Sequence, residues 1–213
     1  MQPISIPLTT LKRLPLYVKY LKSLPQSGAL NITATAIAEA LELNSVQVRK
    51  DLALVSSGGR PRIGYITEDL ILDIEQFLGY GDTRSAVLVG AGNLGKALLS
   101  YKGFSQYGLD IVAAFDTDPT ITGTILHGTK VLQSEKLFDL CKRMNIRIGI
   151  ITVPESEAQG VCDTLVQGGV LAIWNFAPVK LRVPDNVLVL NENMASSLAV
   201  LSKHLNEQLY DAK

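Results

Sequence analysis

A glycine-rich turn, Gly90-Ala91-Gly92-Asn93-Leu94-Gly95, stands between an all-apolar segment and a helical one. In this spacing the first glycine permits a tight turn, the second lets a pyrophosphate approach the backbone, and the third lets the helix pack on the strand. The free N–H groups at the N-terminus of the following helix, predicted over Lys96-Ala97-Leu98-Leu99, would bind the anion beside Asn93 and Leu94. The spacing predicts a dinucleotide site at these residues, and a structural turn without ligand is the alternative.

An acidic residue, Asp116, closes the next predicted strand, 26 residues beyond Gly90. A carboxylate at this place accepts hydrogen bonds from the ribose hydroxyls and repels a 2′-phosphate. The following Thr117-Asp118-Pro119 offers no arginine that would hold such a phosphate. We therefore expect NADH and NAD⁺, and not their phosphorylated counterparts, as the cofactors.

Two further segments end predicted strands, Thr152-Val153-Pro154 and Asn175-Phe176 with Ala177-Pro178 after it. Because ligands bind outside the carboxyl ends of parallel strands, we expect both segments to contact the cofactor near its nicotinamide. Plain strand-to-loop turns are the alternative, since proline ends strands in any case.

The charge of the chain is divided unevenly, although it sums to zero. Residues 1–65 carry eight Lys and Arg against three Asp and Glu, and the remainder carries 12 against 17. This uneven division of charge indicates that residues 1–65 bind a polyanion. An ordinary fluctuation in surface charge is the alternative explanation. The overall balance excludes a uniformly basic nucleic-acid coat and a disordered chain.

Two short helices, Thr35–Leu41 and Ser45–Val55, form the pattern of a helix-turn-helix. Val48, Leu52 and Val55 define the core stripe of the second helix, which Asn44 and Gln47 begin as a capping box. A glycine-rich turn that runs into a short strand follows over residues 56–66, and we call this segment the wing. The candidate DNA contacts are Ser45, Val46, Gln47, Arg49, Lys50, Arg60, Arg62 and Tyr65.

Within this set, Lys50 and Gln47 would read base edges in the major groove. Arg49, Arg60 and Arg62 would hold phosphates or enter the minor groove. A small helical domain with a solvated last helix is the alternative interpretation.

The order of the predicted helices and strands indicates an α/β protein in three parts. We expect a winged helix-turn-helix domain at 1–80, a Rossmann-type parallel-sheet domain at 81–190, and a C-terminal helix at 191–213. In the first helix, Pro15 is expected near the start. A helix over Glu68–Tyr80 is expected to link the domains. The apolar stripe of the final helix packs on its own sheet or on a second subunit, and we favour a homodimer.

The residue types of the chain give little support for catalysis or for metal binding. The histidines are His127, in a polar loop, and His204, on the final helix, and Cys141 and Cys162 lie among apolar residues of predicted helices. We therefore expect a sensor and not an enzyme, with an NAD-dependent oxidoreductase or a CoA-binding module as alternatives. No metal, disulfide, membrane span or secretory signal is expected, and the cytoplasm is the expected compartment.

Six segments in order along nearly the whole chain match one known family. They are Lys12-Arg13-Leu14-Pro15-Leu16-Tyr17, Val48-Arg49-Lys50-Asp51-Leu52, Gly64-Tyr65, the Gly90–Gly95 turn, Phe115-Asp116 and Trp174-Asn175-Phe176-Ala177-Pro178. In these segments the chain resembles the Rex family of redox-sensing transcriptional repressors.

The resemblance implies a homodimer whose C-terminal helices are exchanged between subunits. It also implies binding to double-stranded, pseudo-palindromic operator DNA, release by NADH, and competition by NAD⁺. By the same resemblance Asn175 and Phe176 lie near the nicotinamide, and Tyr101 takes part in interdomain contacts. The chain departs from the family at Lys19 and Asn193, where an Arg and an Asp commonly form an ion pair between subunits.

Overall fold

The computed structural model describes residues 6–25, 30–80 and 84–211. The chain divides into two units, residues 1–82 and 83–213. The first residues after the expected boundary at Tyr80 lie outside the described ranges. The three-part division therefore stays a prediction.

In its described residues, the first unit consists of four helices and a two-stranded antiparallel sheet, β1 with β2. Its helices pack on a shared core that includes Leu14, Tyr17, Ile37, Leu52 and Ile74, all fully buried. The elements are α1 (Leu8–Ser23), β1 (Asn31–Ile32), α2 (Ala34–Ala40), α3 (Ser45–Val55), β2 (Tyr65–Ile66) and α4 (Thr67–Leu78).

One expectation for this unit was wrong. Pro15 lies in the interior of α1, with buried Leu14 before it and buried Tyr17 after it. The core contacts on both sides outweigh the roughly 3 kcal/mol that an interior proline costs a helix. The helix expected over Glu68–Tyr80 is present as α4, and its Leu70 and Ile74 belong to the core of the first unit.

The second unit is built on one twisted sheet of the order β5-β6-β4-β3-β7-β8-β9 in the described residues. Every neighbouring pair is parallel except β5 with β6. The elements are β3 (Arg84–Val89), α5 (Asn93–Ser100), β4 (Leu109–Asp116), β5 (Ile125–Leu126), β6 (Thr129–Gln133), α6 (Leu137–Arg143), β7 (Ile148–Ile151), α7 (Glu155–Gln167), β8 (Ala172–Asn175), β9 (Leu188–Asn191) and α8 (Met194–Asp211).

The central strand β3 fixes the place of the site. The chain leaves β3 for β4 on one side and later returns to β7 on the other, so Val89 pairs with both Phe115 and Ile151. The buried Ala86, Val87 and Leu88 explain why this strand reads as a continuous apolar run. The carboxyl end of β3 is therefore the topological switch point at which such sheets bind ligands.

The segment expected to be a polar loop around His127 is a hairpin between β5 and β6, which corrects that prediction. His127 and Gly128 form its two-residue turn, with φ of 50° and 91°. Positive φ at both turn residues matches the twist of the flanking strands. His127 is exposed there.

The final helix α8 leaves its apolar side chains in solvent. Leu198, Leu201, Leu205 and Leu209 are each more than half exposed. At helical spacing they form one continuous stripe. No helix of the described ranges is long and apolar enough to span a membrane.

Candidate functional site

The Gly90–Gly95 turn has the geometry that the sequence predicts. Gly90 has a φ of 97°, which favours glycine, and a Cβ there would lie 2.8 Å from the backbone of Thr152. A Cβ at Gly95 would collide with the Gly90 carbonyl and approach Leu88, so this glycine lets α5 pack on β3. At Gly92 a Cβ would meet nothing within 4 Å, which leaves the backbone open to a ligand.

The first turn of α5 lies next to that open space. Gly92 is the N-cap, and its carbonyl accepts the first intrahelical bond, from the N–H of Lys96 at 2.8 Å. The N–H groups of Asn93, Leu94 and Gly95 precede that bond and point out of the helix end. They are available to a phosphate.

Asp116 lies at the end of β4, directly beside the turn. One carboxylate oxygen accepts from the N–H of Ala91 at 2.6 Å, and the other accepts from the N–H of Asp118 at 2.9 Å. These bonds fix the carboxylate against the glycine turn. Each oxygen keeps a further lone pair, so both can still accept from a ribose hydroxyl.

A cleft of about 330 Å³ opens at this switch point. Gly90, Gly92 and Asp116 line one side of it, and Thr152, Val153 and Pro154 line the other. The hydroxyl of Thr152 lies 2.6 Å from the Gly90 carbonyl oxygen and holds the two sides together. The lining also includes residues that the sequence reasoning missed, Thr117, Ser134, Glu157 and Val161.

Asn175 and Phe176 do not line this cleft, and Asn175 is fully buried. The Asn175 amide nitrogen donates to the carbonyls of Ala177 and Val179 and to the Asn191 side chain, and its oxygen accepts from the Ala177 N–H. These hydrogen bonds show that the Asn175 side chain stabilises the turn that follows β8. The part that both residues play in cofactor binding stays a prediction.

Four aromatic rings form a row near the end of β8. Tyr101 contacts Phe104 edge-on at 4.8 Å between centroids, Phe104 contacts Trp174 at 5.7 Å, and Trp174 contacts Phe176 at 4.9 Å. The indole N–H of Trp174 donates to Glu192 at 3.0 Å. Tyr101, at the open end of the row, is 53% exposed.

The predicted recognition helix α3 has the expected faces. Val48 and Leu52 are buried, while Val46, Gln47, Arg49 and Lys50 are exposed and Ser45 is half-buried. Asn44 caps the helix by accepting from the N–H groups of Val46 and Gln47. The capping box is incomplete, because the Gln47 side chain does not reach back to Asn44 but donates to Asp51.

Asp51 is the centre of a buried hydrogen-bond network, although the sequence reasoning gave it no role. It is 1% exposed and forms a two-pronged ion pair with Arg13, at 2.7 and 2.9 Å. Its other donors are Thr10 at 3.0 Å, Tyr17 at 2.7 Å and Gln47 at 3.1 Å.

This network shifts the pKa values of Asp51 and Tyr17. Burial alone would raise the pKa of Asp51, but the hydrogen bonds, led by Arg13 and Tyr17, outweigh burial and hold that pKa below its ordinary value. Burial and then the bond to Asp51 raise the pKa of Tyr17. The network joins α1 to α3 through an ionised carboxylate.

The wing follows α3 as a tight turn closed by mutual backbone bonds between Arg60 and Gly64. Arg62 lies at the tip with a φ of 66°. One concave surface, which encloses about 510 Å³, is lined by Arg49, Arg60, Arg62 and Tyr65. That surface also includes Thr33 and Thr35 at the start of α2, which the sequence reasoning missed.

Tyr65 supports the wing from below. A Cβ on Gly59 would lie 2.7 Å from the Tyr65 ring, so the absence of a side chain lets this ring pack closely. Burial raises the pKa of Tyr65, and the charge of Arg49 opposes that shift. The remaining predicted switch residues are the exposed Lys19 on α1 and Asn193, whose side chain caps α8 by accepting from Ser196 N–H.

Cys141 and Cys162 are free and buried, as the sequence indicates. Burial raises the pKa of each thiol to about 11, which suits structural and not reactive cysteines. Within the described residues no group of three or more His, Cys, Asp or Glu side chains could hold a metal ion.

Together the two units define a class: a winged helix-turn-helix module followed by a Rossmann-type sheet with a cleft at its switch point. Comparison with known proteins agrees with this class. Residues 5–53 match the family described as putative DNA-binding protein N-terminus, and residues 82–179 match the CoA binding domain.

A redox-sensing transcriptional repressor Rex of Bacteroides fragilis is 40% identical over 94% of this chain and 91% of its own length. The crystal structure of RSP in complex with beta-NAD⁺ and operator DNA superposes with a TM-score of 0.89 and 33% identity, covering 97% of this chain and 95% of that one. RSP in complex with beta-NADH gives 0.85 and 32%, with 98% of both chains covered. The chain belongs to the Rex family of redox-sensing transcriptional repressors.

Proposed function

We propose that this protein is a transcriptional repressor that binds operator DNA as a homodimer and is released from it by NADH. The observation that carries the sensor half is the open space over Gly92 at the start of α5, with the Asp116 carboxylate beside it. The RSP structures support the proposal because one is a complex with beta-NAD⁺ and operator DNA and another is a complex with beta-NADH. The relatives are named as repressors, and we assign no catalytic residue.

In the sensor half, the glycine turn and the first turn of α5 would hold the pyrophosphate, and Asp116 would accept from the adenosine ribose. Thr152, Val153 and Pro154 form the opposite wall of the cleft. We place the nicotinamide toward Phe176 and the aromatic row. The nicotinamide supplies the signal through its oxidation state, and the protein performs no hydride transfer.

In the DNA half, α3 would enter the major groove with Lys50 and Gln47 on its exposed face. Arg49, Arg60 and Arg62 would hold phosphates or enter the minor groove, since they line one concave surface with Tyr65. Switching would involve Lys19, Tyr101 and Asn193. The unpartnered stripe of α8 would join two subunits by exchange.

NADH can release DNA only if it binds the DNA-free arrangement more tightly than the DNA-bound one. The two free cysteines suit a reducing compartment, and we place the protein in the cytoplasm.

A gel shift on a pseudo-palindromic operator, with NADH and NAD⁺ titrated separately, tests the whole proposal. We expect NADH to dissociate the complex and NAD⁺ to raise the NADH concentration that is needed. Binding of NADH to the protein without any loss of the DNA complex would contradict the switch.

The match of residues 82–179 to the CoA binding domain makes CoA a second candidate ligand. A competition experiment separates the two: the fluorescence of bound NADH should not change when CoA is added. Displacement of NADH by equimolar CoA would favour the CoA-binding alternative.

A further inference from the structure

The network around Asp51 fixes the orientation of one exposed side chain on α3. An ionised carboxylate only accepts hydrogen bonds, and Asp51 already pairs with Arg13 through both of its oxygens. The Gln47 side chain lies 3.1 Å from Asp51 Oδ1. The end of the amide that faces Asp51 must therefore be the nitrogen Nε2, because the oxygen would be repelled.

The other end of the Gln47 amide faces away from the protein. Gln47 is exposed, and among the described residues no group donates to its oxygen Oε1. Its nitrogen has a second hydrogen that the bond to Asp51 does not use. One acceptor and one donor are thus presented side by side, three residues after the Asn44 cap of the helix.

We propose that Asp51, by holding Gln47 in this orientation, makes Gln47 the reader of one adenine in each operator half-site. The proposal rests on the proposed DNA binding. Adenine shows N7, an acceptor, and N6, a donor, at its major-groove edge, and a glutamine amide matches both. The first residues of a recognition helix are those that contact base edges.

The fixed amide discriminates against the other bases. Guanine shows two acceptors, N7 and O6, so its O6 would face Gln47 Oε1. Thymine shows an acceptor and a methyl group, and cytosine satisfies the oxygen alone. Without the bond to Asp51 the amide could turn over, and part of this discrimination would be lost.

Selection of bound sequences from a pool of randomised duplexes tests the proposal without a known operator. We expect the full-length wild-type protein to enrich a two-fold symmetric motif with an adenine that Gln47→Ala no longer selects, while the other positions stay unchanged. Arg49→Ala is the matched control on the same helix. It should weaken binding roughly tenfold to all sequences and leave the motif intact.

The selected adenine is then altered at single atoms. Replacing it by 7-deazaadenine removes the N7 acceptor, which should weaken wild-type binding roughly tenfold and leave Gln47→Ala unaffected. Asp51→Asn, checked for folding by circular dichroism, should accept guanine at that position better than the wild type does.

The outcomes separate this inference from the function on which it rests. If the wild type selects a motif and Gln47→Ala selects the same motif at every position, or loses a base other than adenine, the inference is overturned while DNA binding stands. If the wild type selects no sequence at all, the proposed function fails and the inference fails with it.

Discussion

Two glycines of one turn differ in what a side chain would meet. At Gly92 there is open space, whereas at Gly95 a Cβ would collide with the Gly90 carbonyl. Gly92 is also a helix N-cap with extended backbone, a position that aspartate favours. The same turn therefore holds one glycine that the fold requires, Gly95, and one, Gly92, at which the fold leaves room for a side chain.

Gly92→Asp should preserve folding and abolish the cofactor site. Its carboxylate would cap α5 but would lie at the proposed pyrophosphate position, so we expect NADH affinity to fall roughly a hundredfold. Titration of NADH fluorescence and the melting temperature of the variant check this. Gly95→Ala is the contrasting variant and should cost about 2 kcal/mol of stability. Normal NADH binding by Gly92→Asp would remove the turn from the proposed site.

Asp51 is the residue whose ionisation stabilises the first unit. Its pKa is held below the ordinary value, so its contribution is complete above about pH 4 and is lost as the pH falls through the lowered pKa. Asp51→Asn should cost about 3 kcal/mol at neutral pH, because it breaks a buried pair. Denaturant unfolding from pH 7 down to pH 3 measures this, and the difference between wild type and variant should shrink at the acid end.

At the scale of elements, the tip of the wing is Arg62, which combines a positive charge with a strained backbone conformation. Arg62 has a φ of 66°, a conformation that costs a side-chain-bearing residue about 1 kcal/mol and glycine almost nothing. Arg62→Gly should therefore leave the melting temperature nearly unchanged while it weakens DNA binding. The slope of log affinity against log salt should fall by about 1. Arg62→Lys keeps the charge and should keep the wild-type slope, and equal slopes in all three proteins would exclude a phosphate contact.

The helix α8 presents a leucine stripe that nothing in the described unit covers. If a second subunit covers it, Leu201→Glu with Leu205→Glu should convert the dimer to a monomer, since charges cannot be buried unpaired. Sedimentation equilibrium measures the change. Ser196→Glu adds charge on the opposite face and should leave the mass as it is. A wild-type protein that sediments as a monomer would contradict the dimer directly.

Elements with strong patterns could be predicted from the sequence. The strand β3, the glycine turn and Asp116 follow from an all-apolar run and glycine spacing, and they lie as expected. The hairpin of β5 and β6 was missed because β5 has two residues and its turn, His127-Gly128, is a weak signal. The burial of Asn175 depends on partners farther along the chain, such as Asn191, which no local spacing reveals. The bond from Gln47 to Asp51 joins residues four apart on α3, but the capping-box pattern assigned Gln47 to Asn44 instead.

At the scale of the whole molecule, the proposed switch implies a reciprocal effect. If NADH lowers the affinity for operator DNA by some factor, operator DNA must lower the affinity for NADH by the same factor. Fluorescence anisotropy of labelled DNA gives the first factor, and NADH titration in the presence of saturating operator gives the second. Two unequal factors would show that a further equilibrium, such as dissociation of the dimer, is coupled to the switch.

The row of rings includes the only tryptophan in the chain, Trp174, whose indole N–H donates a hydrogen bond to Glu192 just before α8 begins. All indole emission of the protein therefore originates at one point, between the expected nicotinamide position and the base of the C-terminal helix. Reduced nicotinamide absorbs light where indole emits, and oxidised nicotinamide does not. The chain thus contains a built-in optical probe with which the redox state of its ligand can be followed in an unlabelled sample.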